Sequence, residues 1–99
     1  MKANFESIIQ SKSPVLVDFF TEWCSPCKAQ SPIFQDLASE FGERIKVIKI
    51  DVDKNPEISR RYRIQAVPTI MLFKNGDVKF RQSGIMSKPQ LLELIMQNA

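Results

Sequence analysis

The run Val15-Leu16-Val17-Asp18-Phe19-Phe20, followed closely by Trp23-Cys24-Ser25-Pro26-Cys27-Lys28, decides the fold of this chain. The run is rich in strand formers and lacks polar alternation, so it predicts a central strand covered on both faces. After Cys24 the period changes. Ile33, Leu37 and Phe41 recur at four-residue spacing, Phe34 and Ala38 widen the stripe, and Gly42 supplies a stop. Pro32 lies inside this helix and predicts a kink. Ile45 to Val52 predicts a second buried strand, with Lys46, Lys49 and Asp51 as its polar exceptions. Strand, helix and strand make a βαβ unit whose right-handed crossover sets the two strands parallel.

Working outward, Phe5, Ile8 and Ile9 fall on one side of a short N-terminal helix, and the residues before it are candidates for a short extra strand. Asn55-Pro56-Glu57 reads as an N-cap with proline at the first helical position, opening a helix that ends near Tyr62. Thr69 to Phe73 is a strand, and Asn75-Gly76 calls for a tight hairpin into Val78 to Arg81. Val78 and Phe80 alternate with Lys79 and Arg81, which predicts an edge strand with one solvated face. Ser87 and Gln90 form a capping box for a last helix with Leu91, Leu92 and Ile95 inward. The fold class is α/β: a central mixed sheet with helices on both faces.

A length of 99 residues allows one domain, spanning 1–99. The net charge is +3, from 14 Lys and Arg against 11 Asp and Glu. Arg60, Arg61 and Arg63 are its densest cluster, read first as a solvated helix end and second as a patch steering acidic protein partners. No basic run interleaved with aromatics points to nucleic acid. Glu6 and Gln10 interrupt any apolar leader near the start, and no stretch approaches a membrane span, so the expectation is a cytoplasmic protein without a membrane partner.

Cys24 and Cys27 are the whole cysteine inventory, and there is no histidine. A structural zinc site usually needs four cysteine or histidine ligands, so metal is the weaker reading and no metal is expected. A pair two residues apart, between a buried strand and a helix, reads instead as a redox centre. Free N–H groups and the helix dipole there favour a thiolate, and Pro26 suits the first turn because it has no N–H to lose. Cys24 is the expected exposed nucleophile and Cys27 the resolving residue one turn further in. Asp18 is the second feature. A carboxylate in a core strand is costly to ionise, so its pKa should rise. It is expected to accept or relay the Cys27 proton, with Lys49 on the neighbouring strand tuning its charge. The bland alternative is a solvent-facing aspartate at a sheet edge.

These residues resemble the thioredoxin family over nearly the whole chain. The strand ending at Phe20, the Trp23 to Lys28 segment, Lys49-Ile50-Asp51-Val52-Asp53, Asn55-Pro56, Val67-Pro68-Thr69, Phe73-Lys74-Asn75-Gly76 and Gly84 match its signatures in order. The resemblance implies a thioredoxin-like fold and a cis bond before Pro68. It also implies a shallow apolar platform for a partner's backbone made by Trp23, Pro26, Val67, Pro68 and Gly84. Ser25 stands where glycine is usual and, with Pro26, is expected to tune the redox potential. Phe20 replaces a frequent tryptophan, and Ala66 a glycine that helps contact partners.

The resemblance further implies a protein-disulfide reductase that binds no cofactor. NADPH and FAD would act only through a partner, thioredoxin reductase. Implied clients are ribonucleotide reductase, peroxiredoxins and methionine sulfoxide reductases. A disulfide oxidase or isomerase of the same fold, and a non-catalytic binding subunit, are the rival readings. A monomer is expected.

Overall fold

The computed structural model describes residues 4–99, so the extra strand considered before Phe5 lies outside the described residues. The elements run α1 (Phe5–Ile8), β1 (Val15–Phe20), α2 (Ser25–Phe41), a 3-10 turn (Gly42–Arg44), β2 (Lys46–Asp51), α3 (Pro56–Arg61), β3 (Thr69–Lys74), β4 (Asp77–Ser83) and α4 (Lys88–Gln97). The strands order as β2-β1-β3-β4. β1 pairs parallel to β2 and antiparallel to β3, which pairs antiparallel to β4. The mixed sheet and its flanking helices are those expected.

Alternation along β1 separates two cores. Val15, Val17 and Phe19 join Phe5, Ile9, Met71 and Phe73, with Ile58 and Tyr62 packed alongside, on the face covered by α1 and α3. Phe5, Tyr62 and Phe73 meet edge to face at centroid distances of 5.4–5.5 Å. Leu16 turns the other way, onto Phe34 and Leu37 of α2 and Leu91, Leu94 and Ile95 of α4. Each fully buried aliphatic or aromatic side chain contributes about 1.5–3 kcal/mol relative to exposure.

Four expectations need correction. β2 is an edge strand among the described residues, with Lys46 and Lys49 exposed, because β1 takes the centre of the sheet. Ala38 is exposed, so the inward stripe of α2 is narrower and runs through Cys27, Gln30, Phe34 and Leu37. Leu92 is only half-buried, and Leu94 is the third buried residue of α4. Val78 is 50% exposed because the ladder slips between Leu72 and Phe73, where Phe80 and Val78 are the successive partners. That bulge leaves Lys79 between them and breaks the alternation.

The caps follow the sequence unevenly. Ser87 and Gln90 form the capping box. Asn55 occupies the N-cap of α3 but its side chain donates to the Asp51 carbonyl at 2.9 Å instead of capping. α2 continues through Pro32. Asn75 and Gly76 both have positive φ, as the tight hairpin turn requires, and their N–H groups donate to Ser11 and Ile9 carbonyls.

Candidate active site

β1 delivers the chain to the start of α2 through Thr21, Glu22 and Trp23. Cys24 is the N-cap of α2, with extended backbone, and its Sγ accepts the Cys27 N–H at 3.1 Å. A sulfur thus takes the place of the usual capping oxygen, at the positive end of a 17-residue helix. Cys24 and Cys27 are joined as a disulfide, with Cα atoms 5.3 Å apart. Ser25 and Pro26 are exposed in the first turn.

The expected contrast between an exposed Cys24 and a buried Cys27 is not present. They are 4% and 3% exposed. In the oxidised pair each sulfur covers the other, and the capping bond draws Cys24 against the helix. Trp23, at 72%, is the residue that projects.

Asp18 is fully buried, which rules out the solvent-facing alternative. Leu16 and Phe20 flank it on the same face of β1. Leu16 packs on Phe34 and Leu37, whereas Phe20 shares a cleft with Cys27, so Asp18 faces the first turns of α2. Neither carboxyl oxygen has a hydrogen-bond partner among the described residues. Burial pushes its pKa from an ordinary 3.8 up to about 6, and the charge of Lys49 acts in the opposite, smaller sense.

Lys49 is the register partner of Asp18 on β2, yet the two form no ion pair. Its Nζ instead donates to Ser31 Oγ at 2.7 Å and lies 4.6 Å from the centroid of the Phe20 ring. Cys27, Ser31, Lys49 and Phe20 line one open cleft of about 410 Å³, so the inner cysteine and the lysine share a solvent-facing wall.

On the other side of the cysteines, the Val67-Pro68 bond is cis, as the resemblance implies. Gly84 N–H donates to the Pro68 carbonyl at 2.8 Å, bringing those two residues together. Gly84 has φ +99°, and a Cβ there would meet nothing within 4 Å, so glycine is required by backbone conformation and leaves open space beside Pro68. Trp23 and Val67 line a second groove, of about 380 Å³, with Asp53, Gln65 and Ala66. Cys24, Trp23, Pro68 and Gly84 therefore belong to one end of the molecule, at the end of β1 and the start of β3.

Three polar residues were missed in the sequence. Asp53 accepts the Trp23 indole N–H at 3.0 Å, which orients the exposed ring. Ser31 anchors Lys49. Gln30, fully buried, donates to the Met86 carbonyl at 3.0 Å and accepts the Met86 N–H at 2.8 Å. Gln30 was visible in principle: it falls on the stripe Cys27, Gln30, Phe34, Leu37, where a polar residue calls for a partner. Asp53 and Ser31 carry no such local signal.

The Thioredoxin family model matches residues 1–97. The chain belongs to the thioredoxin family. A thioredoxin of Rickettsia bellii is 44% identical over 97 residues, covering 98% of this chain and 92% of that protein. Among solved structures, a chloroplastic thioredoxin z is 37% identical with a TM-score of 0.80, over 88% of this chain and 79% of that one. A malarial protein superposes with a TM-score of 0.82 at 32% identity, over 87% and 97%. With the Cys24–Cys27 pair, this membership makes the chain a thiol–disulfide oxidoreductase. Among the described residues no three or more His, Cys, Asp or Glu side chains are grouped to hold a metal, and no helix is long and apolar enough to cross a membrane.

Proposed function

We propose that this thioredoxin-family chain, acting as one domain and as a monomer in the cytoplasm, is a general reductase of protein disulfides. The observation that carries the reading is the Cys24–Cys27 pair at the N-terminus of α2, with the unpartnered Asp18 carboxyl facing the same turns. In the reduced protein Cys24 is the nucleophile. Its thiolate attacks one sulfur of a client disulfide, that S–S bond breaks, and the second client sulfur leaves and takes a proton. Cys27 then gives its proton toward Asp18 and attacks Cys24 Sγ. The mixed disulfide breaks, the client leaves as a thiolate that is protonated by solvent, and Cys24–Cys27 is again oxidised.

A carboxyl of pKa about 6 suits this role, being ionised at neutral pH yet basic enough to accept a proton. Lys49 tunes it from the cleft wall. Trp23, Pro26, Val67, Pro68 and Gly84 seat the client's backbone, and Ser25 with Pro26 adjusts the potential. Reducing equivalents return from a flavin-containing, NADPH-dependent thioredoxin reductase. Ribonucleotide reductase, peroxiredoxins and methionine sulfoxide reductases are the client classes. Family likeness and the Trp23–Val67 groove support these partners.

The test is an equilibrium titration of Cys24–Cys27 in a defined thiol buffer, read by alkylation and mass. A potential near roughly −270 mV supports net reduction. A value near about −180 to −120 mV would reassign the chain to isomerase or oxidase work.

A further inference from the structure

The arginine cluster is left unused by this chemistry, and its three members differ. Arg61 is paired with Glu6. Arg60 and Arg63 are exposed and form no ion pair among the described residues. Arg63 also holds a left-handed backbone, φ +53°, a conformation unfavourable for any residue with a Cβ. The Arg81 guanidinium spans the Tyr62 and Arg63 carbonyls, the latter at 2.6 Å, and so braces that turn from β4. The left-handed residue closes α3, with the Ile64 N–H donating to the Ser59 carbonyl at 2.9 Å and the Arg63 N–H to the Arg60 carbonyl at 3.1 Å, so this helix stop and the Arg81 brace fix where the Arg63 backbone sits.

Arg60 and Arg63 line a groove of about 440 Å³ with Ile64 and Gln65. Ile64 and Gln65 also line the groove that begins at Trp23 and Val67. The two grooves share these two lining residues, and together they form a trough that leads from the cysteine end of the molecule toward the arginines. Along it, Gln65 and Ala66 are exposed, and their N–H groups make no backbone hydrogen bond, which leaves them open to an extended chain. At the arginine end the nearby acidic group, Glu6, is held by Arg61 and the Tyr62 hydroxyl. Asp53 accepts the indole N–H, Glu22 is paired with Lys54, and Glu57 lines a separate groove. The trough is therefore polarised, with its unpaired positive charge at the far end.

We propose that this trough docks an extended polypeptide segment carrying an acidic side chain about four residues from the attacked disulfide cysteine, with Arg60 and Arg63 as the end that reads the charge. The spacing follows from reach: Arg63 to Val67 is four residues, at most ~14 Å of extended chain, which a partner segment matches with a similar number. The inference rests on the reading of Cys24 as the sulfur that attacks clients. An acidic protein is favoured over a nucleic acid because Asp53 and Glu22 flank the only exposed aromatic ring of the trough and oppose a phosphate backbone there.

The experiment uses the oxidised protein and cysteine-free peptides, so that binding is read without turnover. Two peptides differ only in carrying Asp or Lys four residues to either side of a central serine, and each is titrated while backbone amide shifts are followed by NMR. The Asp peptide should bind about fivefold tighter at low ionic strength, as expected for two rim ion pairs, and the preference should fade in high salt. Shifts should concentrate at Arg60, Arg63, Gln65 and Ala66. Arg60→Gln with Arg63→Gln should abolish the preference, and Arg60→Glu with Arg63→Glu should invert it. Equal affinities for the two peptides, shifts confined to other surfaces, or a single-stranded oligonucleotide displacing the Asp peptide from these residues would each overturn the proposal. Failure of the Cys24 reading would show separately, in the exchange rate with a cysteine-bearing peptide.

Discussion

The two faces of β1 are built from the same six residues and do opposite things. On one, Val15, Val17 and Phe19 meet a sealed cluster in which Phe5, Tyr62 and Phe73 pack edge to face. On the other, Leu16 is equally buried, but the next position inward is Asp18, a carboxyl without a hydrogen-bond partner. The first face contributes stability. The second gives some of it up to a buried carboxyl whose pKa is raised to about 6. One strand can serve both ends because alternation keeps the two sets of side chains apart.

Substitutions should separate the faces sharply. Cys24→Ser should reduce disulfide exchange to background, while Cys27→Ser should accumulate a mixed disulfide visible by mass; free turnover by either would break the division of roles. On the sealed face, Phe73→Ala should cost about 3–5 kcal/mol in urea unfolding, with exchange per folded molecule preserved. A matching loss of exchange would mean that the faces are coupled.

Asp18→Asn should act with the opposite sign. The carboxyl titrates near 3.8 when unfolded and about 6 in the fold, so between those values the native state holds more protons and stability falls as pH rises. Wild type and variant should therefore match below about pH 4, and the variant should be more stable by about 3 kcal/mol above pH 6. Resolution of the mixed disulfide should slow by about a hundredfold, and an unchanged rate removes Asp18 from the proton path. The smallest effect is expected from Ser31→Ala. Releasing Lys49 from Ser31 Oγ lets its charge approach Asp18 and should move the carboxyl's midpoint below about 6, as followed by carboxyl NMR; a midpoint unchanged or raised would mean that Ser31 does not position the lysine.

What could be read from the sequence divides along similar lines. The change from strand run to helical stripe at Cys24, the buried Asp18 and the Asn75-Gly76 turn were legible because each is a local pattern with a physical cause. The exposure of β2 was not, since an apolar run looks the same at the centre of a sheet and at its edge. Val78 was misplaced by a bulge that depends on the pairing of β3 with β4. Exposure of Cys24 is expected from its role as the attacking sulfur, whereas both sulfurs are buried in the paired, capped arrangement. Asp53 and Ser31 found their partners across 30 and 18 residues of chain, a distance no periodicity reports.

The Gln30 carboxamide has a kinetic consequence. By closing on both the N–H and the carbonyl of Met86, it ties the segment after Gly84 to the second turn of α2 as firmly as a pair of neighbouring strands. The Met86 amide, in a stretch without regular structure, should exchange with deuterium as slowly as the helix interior. A tug on that segment by a docked protein would be felt by the helix that carries both sulfurs.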